Sequence, residues 1–291
     1  MQLWILLSLI SGLGDAVMYA AMKKLDSVSD SLVIWVQFAF ALPFLAFLLL
    51  FNYPTNIYPQ VYLIALINGV LFAVTTYLLL QATRLSSLST AMPLLSLTPL
   101  FLIMTSYIMV REVPSYIGFI GIFLIVLGAY IIHLKPTKSG IKIGILAPFK
   151  ALVTNKGSLY VLIVAFVYSI LANLFKIGIS ESNPVFYSAL LYAIVTIGML
   201  PFMLYTYRRT IADIKLEFGL LILLGAASAV MMVTASYSML SAIVPYAVSI
   251  KRSSVIFAVF LGYYLFKERN IKQALLGSIV MFIGGLFITL S

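Results

Sequence analysis

Residues 101–128, FLIMTSYIMVREVPSYIGFIGIFLIVLG, pass from one apolar segment through a charged, proline-bearing turn into another whose glycines stand seven residues apart. The stretch returns at 257–284, where Phe257, Glu268, Gly277 and Gly284 follow Phe101, Glu112, Gly121 and Gly128 by 156 residues. Without any gap the same offset superposes Leu3 on Leu159, Ala16 on Ala172 and Gly69 on Gly225. A constant shift that holds from the start of the chain to its end marks an internal repeat. Small residues seven apart share one helical face, so both glycine pairs predict close-packing seams within the fold or between protomers.

The medium in which the repeat folds is read from composition. With 63% hydrophobic residues, 9% charged ones and a mean hydropathy of +1.15, the chain lies outside the range of soluble domains. A bilayer-spanning helix needs roughly 20 apolar residues. Ten such runs occur, at about 3–22, 31–51, 61–81, 88–110, 115–134, 158–179, 184–206, 218–240, 243–266 and 271–290. The expected fold is an all-α membrane protein of ten transmembrane helices in two five-helix repeats, 1–134 and 158–291, joined by a basic linker, 135–157. Five is odd, so the second repeat must enter the bilayer from the opposite side, which makes the repeat inverted. The first run has no basic residue before it and no small-residue cleavage site ahead of a polar domain, so it reads as a retained helix rather than a signal peptide.

Charge sets the orientation. One side of the predicted bilayer carries Lys23, Lys24, Arg84, Lys135, Lys138, Lys142, Lys150, Lys156, Arg208, Arg209, Lys215, Lys267, Arg269 and Lys272, the other only Arg111. Basic loops stay in the cytoplasm, so both termini are expected outside it, in a multi-pass protein of the cell membrane. The net charge of +10 is then mainly a topology signal. The linker could also meet anionic lipid head groups. No nucleic-acid partner is expected.

Several chemistries are excluded. The chain has no cysteine and one histidine, His133 at a helix end, so no zinc, haem or iron–sulfur ligand set can be assembled and no metal or other cofactor is expected. A phosphate-cradling GxxxxGK[ST] is absent, which removes ATP-driven pumping by this polypeptide. Gly12, Leu13, Gly14 and Asp15 match the GxGD signature of intramembrane aspartyl proteases, but Asp26, Asp30 and Asp213 all fall in loops, so no partner carboxylate completes a dyad. The chain is therefore expected not to be an enzyme.

Polar residues inside the runs point to a site. Ser169, Asn173, Lys176 and Ser180 share one face of the sixth run, while Ser8, Gly12, Asp15 and Tyr19 share one face of the first. Lys251 and Arg252 lie near the middle of the ninth, roughly 12 Å along the helix from its end and too deep for easy snorkelling. Charges at membrane depth mark ion or substrate paths. Lys176, Lys251, Arg252, Asn173, Tyr19 and Tyr168 are the candidate substrate-binding residues. Asp15 is either a counter-ion of Lys251 or Arg252 or a protonatable coupling group. Three cations against one carboxylate favour an anionic substrate. Glu112 and Glu268 end the fourth and ninth runs, where a carboxylate suits the start of the helix that follows.

Together these residues resemble the EamA branch of the drug/metabolite transporter superfamily. The likeness rests on ten runs in two halves, a glutamate closing the fourth and ninth, glycine-bearing final helices, and the segment from Ser249 through Gly262 to Glu268. It implies a secondary transporter working by alternating access. Within that superfamily the Lys251–Arg252 pair is similar to the lysine–arginine pair with which plastid sugar-phosphate antiporters hold phosphate, and Lys176 to their further lysine. A small organic metabolite, phosphorylated or carboxylate, is the expected substrate. Export of an amino acid or another neutral or zwitterionic metabolite is the alternative, and a lipid-linked carrier flippase is one of another class. Proton or counter-substrate coupling and a homodimer stay open.

The charge asymmetry is directly testable: a reporter fused to Ser291 should behave as extracytoplasmic. A C-terminal fusion that fluoresces as a cytoplasmically folded protein would overturn the orientation.

Overall fold

The computed structural model describes residues 3–25, 30–85, 94–133, 156–206, 217–252, 254–266 and 271–291. Regular structure among them is entirely helical: α1 (Leu3–Lys24), α2 (Asp30–Ala39), α3 (Leu42–Leu49), α4 (Gln60–Leu85), α5 (Thr98–Met109), α6 (Tyr116–His133), α7 (Lys156–Ser180), α8 (Pro184–Thr206), α9 (Phe218–Ser241), α10 (Val244–Lys251), α11 (Ser254–Phe266) and α12 (Ile271–Thr289). Six stretches are long and apolar enough to cross a membrane: Leu3–Met22, Ser31–Leu49, Gln60–Leu79, Lys156–Ser180, Pro184–Tyr205 and Phe218–Ser241. Residues 135–155 of the linker, residues 267–270, and the side chains of Tyr19 and Gln81 lie outside the described residues.

Three of the predicted runs are interrupted. The second divides into α2 and α3 because Pro43, in the first turn of α3, has no N–H to offer the Ala39 carbonyl. The fourth turns at Ser96–Leu97 for the same reason, since Pro99 leaves the Leu95 carbonyl free and the Thr98 hydroxyl donates to it at 2.7 Å. The ninth divides into α10 and α11, with Arg252 as the C-cap of α10 and its N–H shared between Val248 O and Ser249 O, each 3.1 Å away. The Ser96 and Arg252 positions are 156 residues apart, so the two halves are interrupted at equivalent places.

Packing follows the repeat. α1 lies against α9 and α11, while α7, the counterpart of α1, lies against α4 and α5, the counterparts of α9 and α11. α6 and α12 face one another through an antiparallel glycine seam. A Cβ on Gly121 would sit 2.7 Å from Gly284 O and one on Gly284 2.7 Å from Gly121 O, and Gly128 and Gly277 stand in the same reciprocal relation at 2.5 Å. The seam predicted from the seven-residue spacing is thus an intramolecular contact between the halves.

The outer surface has no aqueous logic. Leu63, Leu66, Ile67, Val70, Val74 and Tyr77 form an exposed stripe along α4 with the spacing of one helical face. Water would penalise so long an apolar face, whereas lipid covers it without cost.

Replacing Gly128 by Val should force α6 off α12, because the Gly277 carbonyl is backbone and cannot step aside. A loss of about 1 to 3 kcal/mol is expected, read as a lowered unfolding temperature in detergent. Gly198→Val, where an added Cβ has no neighbour within 4 Å, is the control that should leave stability near wild type.

Candidate functional site

The interruption between α10 and α11 is where the chemistry collects. A helix that stops inside an apolar layer leaves carbonyls to be met by protein. α1 provides a smooth surface there: a Cβ on Gly12 would stand 2.9 Å from Lys251 O and 3.1 Å from Ser254 N, so only glycine lets the two backbones come this close. Gly14 does the same toward α9, meeting Met231 Cβ at 3.0 Å and Ala227 O at 3.2 Å. The GxGD sequence therefore works as a packing device, placing the next residue, Asp15, against the interrupted helix.

Asp15 then forms an ion pair with Lys251, Oδ2 to Nζ 3.5 Å, with both side chains largely shielded. Lys251 Nζ also approaches the thioether of Met231 at 3.0 Å. Of the two partners open to Asp15 from the sequence, the described pair is with Lys251. The adjacent Arg252 behaves differently. Its Nε is buried and has no hydrogen-bond partner among the described residues, a costly condition for a guanidinium donor.

Aromatic rings connect the two charges. Tyr168 lies within electrostatic reach of Arg252, and Tyr192 within that of Asp15. Between these tyrosines, Phe72 stacks on Tyr168 at 6.3 Å, Phe38 meets Phe72 edge-on at 5.4 Å, and Tyr192 meets Phe38 edge-on at 5.0 Å. Tyr192 is anchored by a 3.0 Å hydroxyl contact with Ser228. This arc, contributed by α2, α4, α7 and α8, belongs to both halves of the chain.

A second charged cluster holds the ends of other helices. Lys176 pairs with Glu112 Oε1 at 3.3 Å and donates to the carbonyls of Met239 and, at 3.0 Å, Ala242, at the C-terminal end of α9. Three acceptors match the three donors of an ammonium. Glu112 Oε2 accepts the N–H of Val244 at 2.6 Å and so caps α10, whose Ile243 N-cap provides no side-chain bond. The carboxylate expected to start the helix that follows it thus serves a helix of the other repeat. α6 instead receives a cap from Ser115 Oγ, which accepts from Gly118 N at 3.1 Å.

The polar stripe of the sixth run divides between bundle and surface. Asn173 is fully buried, accepting from the Ser106 hydroxyl at 2.8 Å and donating to Thr105 Oγ1 at 3.0 Å and Ser169 O at 2.9 Å, which ties α7 to α5. Ser169 is buried and donates to Phe166 O, whereas Ser180 is exposed. On the first run, Ser8 contacts Ser238 at 2.5 Å across the α1–α9 interface. Tyr168, Lys251, Arg252 and Asp15 thus form one neighbourhood, while Lys176 and Asn173 belong to the bracing around α5, α7 and α9.

Sequence reading did not single out Phe72, Phe38 or Met231, and read Glu112 only locally. Nothing in their spacing marks them, since they converge from separate helices. The equivalent interruptions at Ser96 and Arg252 did carry a signal: Pro99 in the fourth run, carried 156 residues forward, points to the Arg252 region.

Comparisons with known proteins agree on the architecture. The EamA-like transporter family model matches residues 2–134 and 155–290, one copy in each half. No curated protein matches the chain. Among 28 solved chains that match, one described only as "Crystal structure of protein" superposes with a TM-score of 0.78 at 13% identity, covering 99% of this chain and 96% of the other. At that identity the likeness speaks for the fold alone. Matched by the family model across both of its repeats, the chain belongs to the EamA-like transporter family.

Proposed function

We propose that this multi-pass membrane protein is a secondary transporter that moves a small organic anion by alternating access, with Arg252 as its principal contact to the substrate. In this reading ten spans form two inverted halves in the cell membrane, with both termini extracytoplasmic. The observation that carries the reading is the buried, unpartnered Nε of Arg252 at a helix interruption. Discontinuous helices are where transporters of several folds hold charged substrate groups, because the free helix ends and side chains converge there. A carboxylate or phosphate oxygen would satisfy the guanidinium by a charge-assisted bond.

Pairing refines the charge balance. Lys251 is engaged by Asp15 and Lys176 by Glu112, whereas among the described residues no carboxylate pairs with Arg252, which is read here as the excess charge of the neighbourhood. One excess cation suits a group with a single negative charge, such as a carboxylate, better than a phosphate dianion. Tyr168 and the arc behind it offer an apolar wall for the organic part. The same two ion pairs also favour a second reading, transport of a zwitterion whose ammonium exchanges places with Lys251 beside Asp15.

Transport assays in proteoliposomes separate these readings. Losing one desolvated ionic contact typically costs about 2 to 5 kcal/mol, tens to thousands of fold in affinity. Arg252→Gln should weaken anionic substrates by that amount and neutral analogues far less, and Arg252→Lys should also weaken them because an ammonium lacks the planar fork. Parallel unfolding measurements show whether the variants remain folded. Well-folded Arg252→Gln protein that transports its substrate at wild-type rate and affinity would overturn the anion reading.

Asp15 gives an independent test. If it is a plain counter-ion, Asp15→Asn leaves Lys251 with an unbalanced charge, reduces stability and alters substrate affinity, yet transport keeps its response to a pH gradient. Loss of gradient-driven uptake with exchange preserved would instead assign Asp15 a proton-carrying role.

A further inference from the structure

α4 and α8 pack side by side. At Gly69 they touch, an added Cβ there standing 2.6 Å from Ile194 Cγ2. One turn further on each helix come Ala73 and Gly198, and another turn on come Tyr77 and Phe202, whose rings meet edge-on at 6.2 Å. Between these residues, with Val74 on the rim and the buried Met199 as floor, lies a groove of about 280 Å³. Apart from the Tyr77 hydroxyl, its lining side chains are apolar.

The groove lies on an exposed face, for Val74 and Tyr77 are half exposed and Gly198 has nothing within 4 Å of an added Cβ. In a protein that crosses a bilayer, such a face meets hydrocarbon. A slot in it is filled rather than left void, because its lining would otherwise lose dispersion contacts. Its size decides the occupant. The groove is open at Gly198, where an added Cβ meets nothing within 4 Å, and its volume of about 280 Å³ is small for a helix from a second copy, about 10–12 Å across. A linear chain fits it.

Charge decides the kind of lipid. Arg84 is seven residues beyond Tyr77 on the same face of α4, in its last turn, about 10 Å further along the axis. Arg208 and Arg209 come two and three residues after the end of α8 in the sequence. We propose that the groove between α4 and α8 binds one acyl chain of an anionic phospholipid, with the phosphate at the level of Arg84. The inference rests on membrane residence alone, and it stands or falls separately from the substrate assigned to Arg252.

The test is native mass spectrometry of the purified full-length protein with added phosphatidylglycerol or phosphatidylcholine, alongside unfolding temperatures with and without lipid. Wild type should retain phosphatidylglycerol preferentially and be stabilised by it. Gly198→Leu fills the groove without a clash and should lower retention by roughly tenfold, as expected for losing contact with a few methylenes, with the lipid-free unfolding temperature unchanged. Arg84→Gln should remove the preference between the two lipids while retaining the acyl chain. Val74→Trp, which blocks the rim from α4, repeats the first test should Gly198→Leu prove unstable. Undiminished lipid retention in the groove-filling variants would overturn the proposal, as would a dimer that dissociates in them while no lipid is retained. Equal binding of both lipids to wild type would overturn the anionic assignment.

Discussion

A helix that ends inside a bilayer is tolerated only where protein covers its free backbone groups, and this constraint governs the centre of the molecule. The α10–α11 interruption is covered by α1, through a glycine whose missing side chain lets the Lys251 carbonyl approach. Gly225 plays the matching part at the α2–α3 interruption, where a Cβ would stand 2.5 Å from that of Phe40. Glycine in these helices is disfavoured by intrinsic propensity, but close backbone packing outweighs the loss. Once α1 is held this near, Asp15 has little choice but to face Lys251.

The charged residues then fall into two roles by what surrounds them. Lys176 lies among a carboxylate and two carbonyls at the end of α9, so its charge is spent on holding helix ends together. Glu112 extends that bracing to the other repeat by capping α10. A charge removed from water remains affordable when each donor finds an acceptor. Arg252 departs from this pattern at its Nε, which is why the proposed substrate contact falls there and not at the equally basic Lys176. The bracing and the proposed site are linked through α10, which Glu112 caps at one end and which carries Lys251 and Arg252 at the other.

The aromatic arc shows the same economy. Tyr168 and Tyr192 come from neighbouring helices of the second half, and Phe72 and Phe38 from the first, yet edge-on and stacked contacts join them into one wall. That wall is an interface between halves, so any relative movement of the repeats must also rearrange the surroundings of Arg252 and Asp15.

Much of this was determined by local and periodic information. Apolar runs of bilayer length, the 156-residue offset and glycines at seven-residue spacing needed only composition and position, and the structure places helices on those runs and the glycines in one reciprocal seam. Asp15, Lys251 and Arg252 were legible because charge in an apolar run is rare and expensive. Tertiary structure alone decided which cation meets which carboxylate, that Glu112 caps a helix 132 residues away, and that Asn173 ties α7 to α5. It also showed that Gly12 and Gly14 are packing surfaces against α10, α11 and α9. The physical reason is that hydropathy and helical period act along one segment, whereas ion pairing, capping and close backbone approach depend on neighbours brought together from distant parts of the chain.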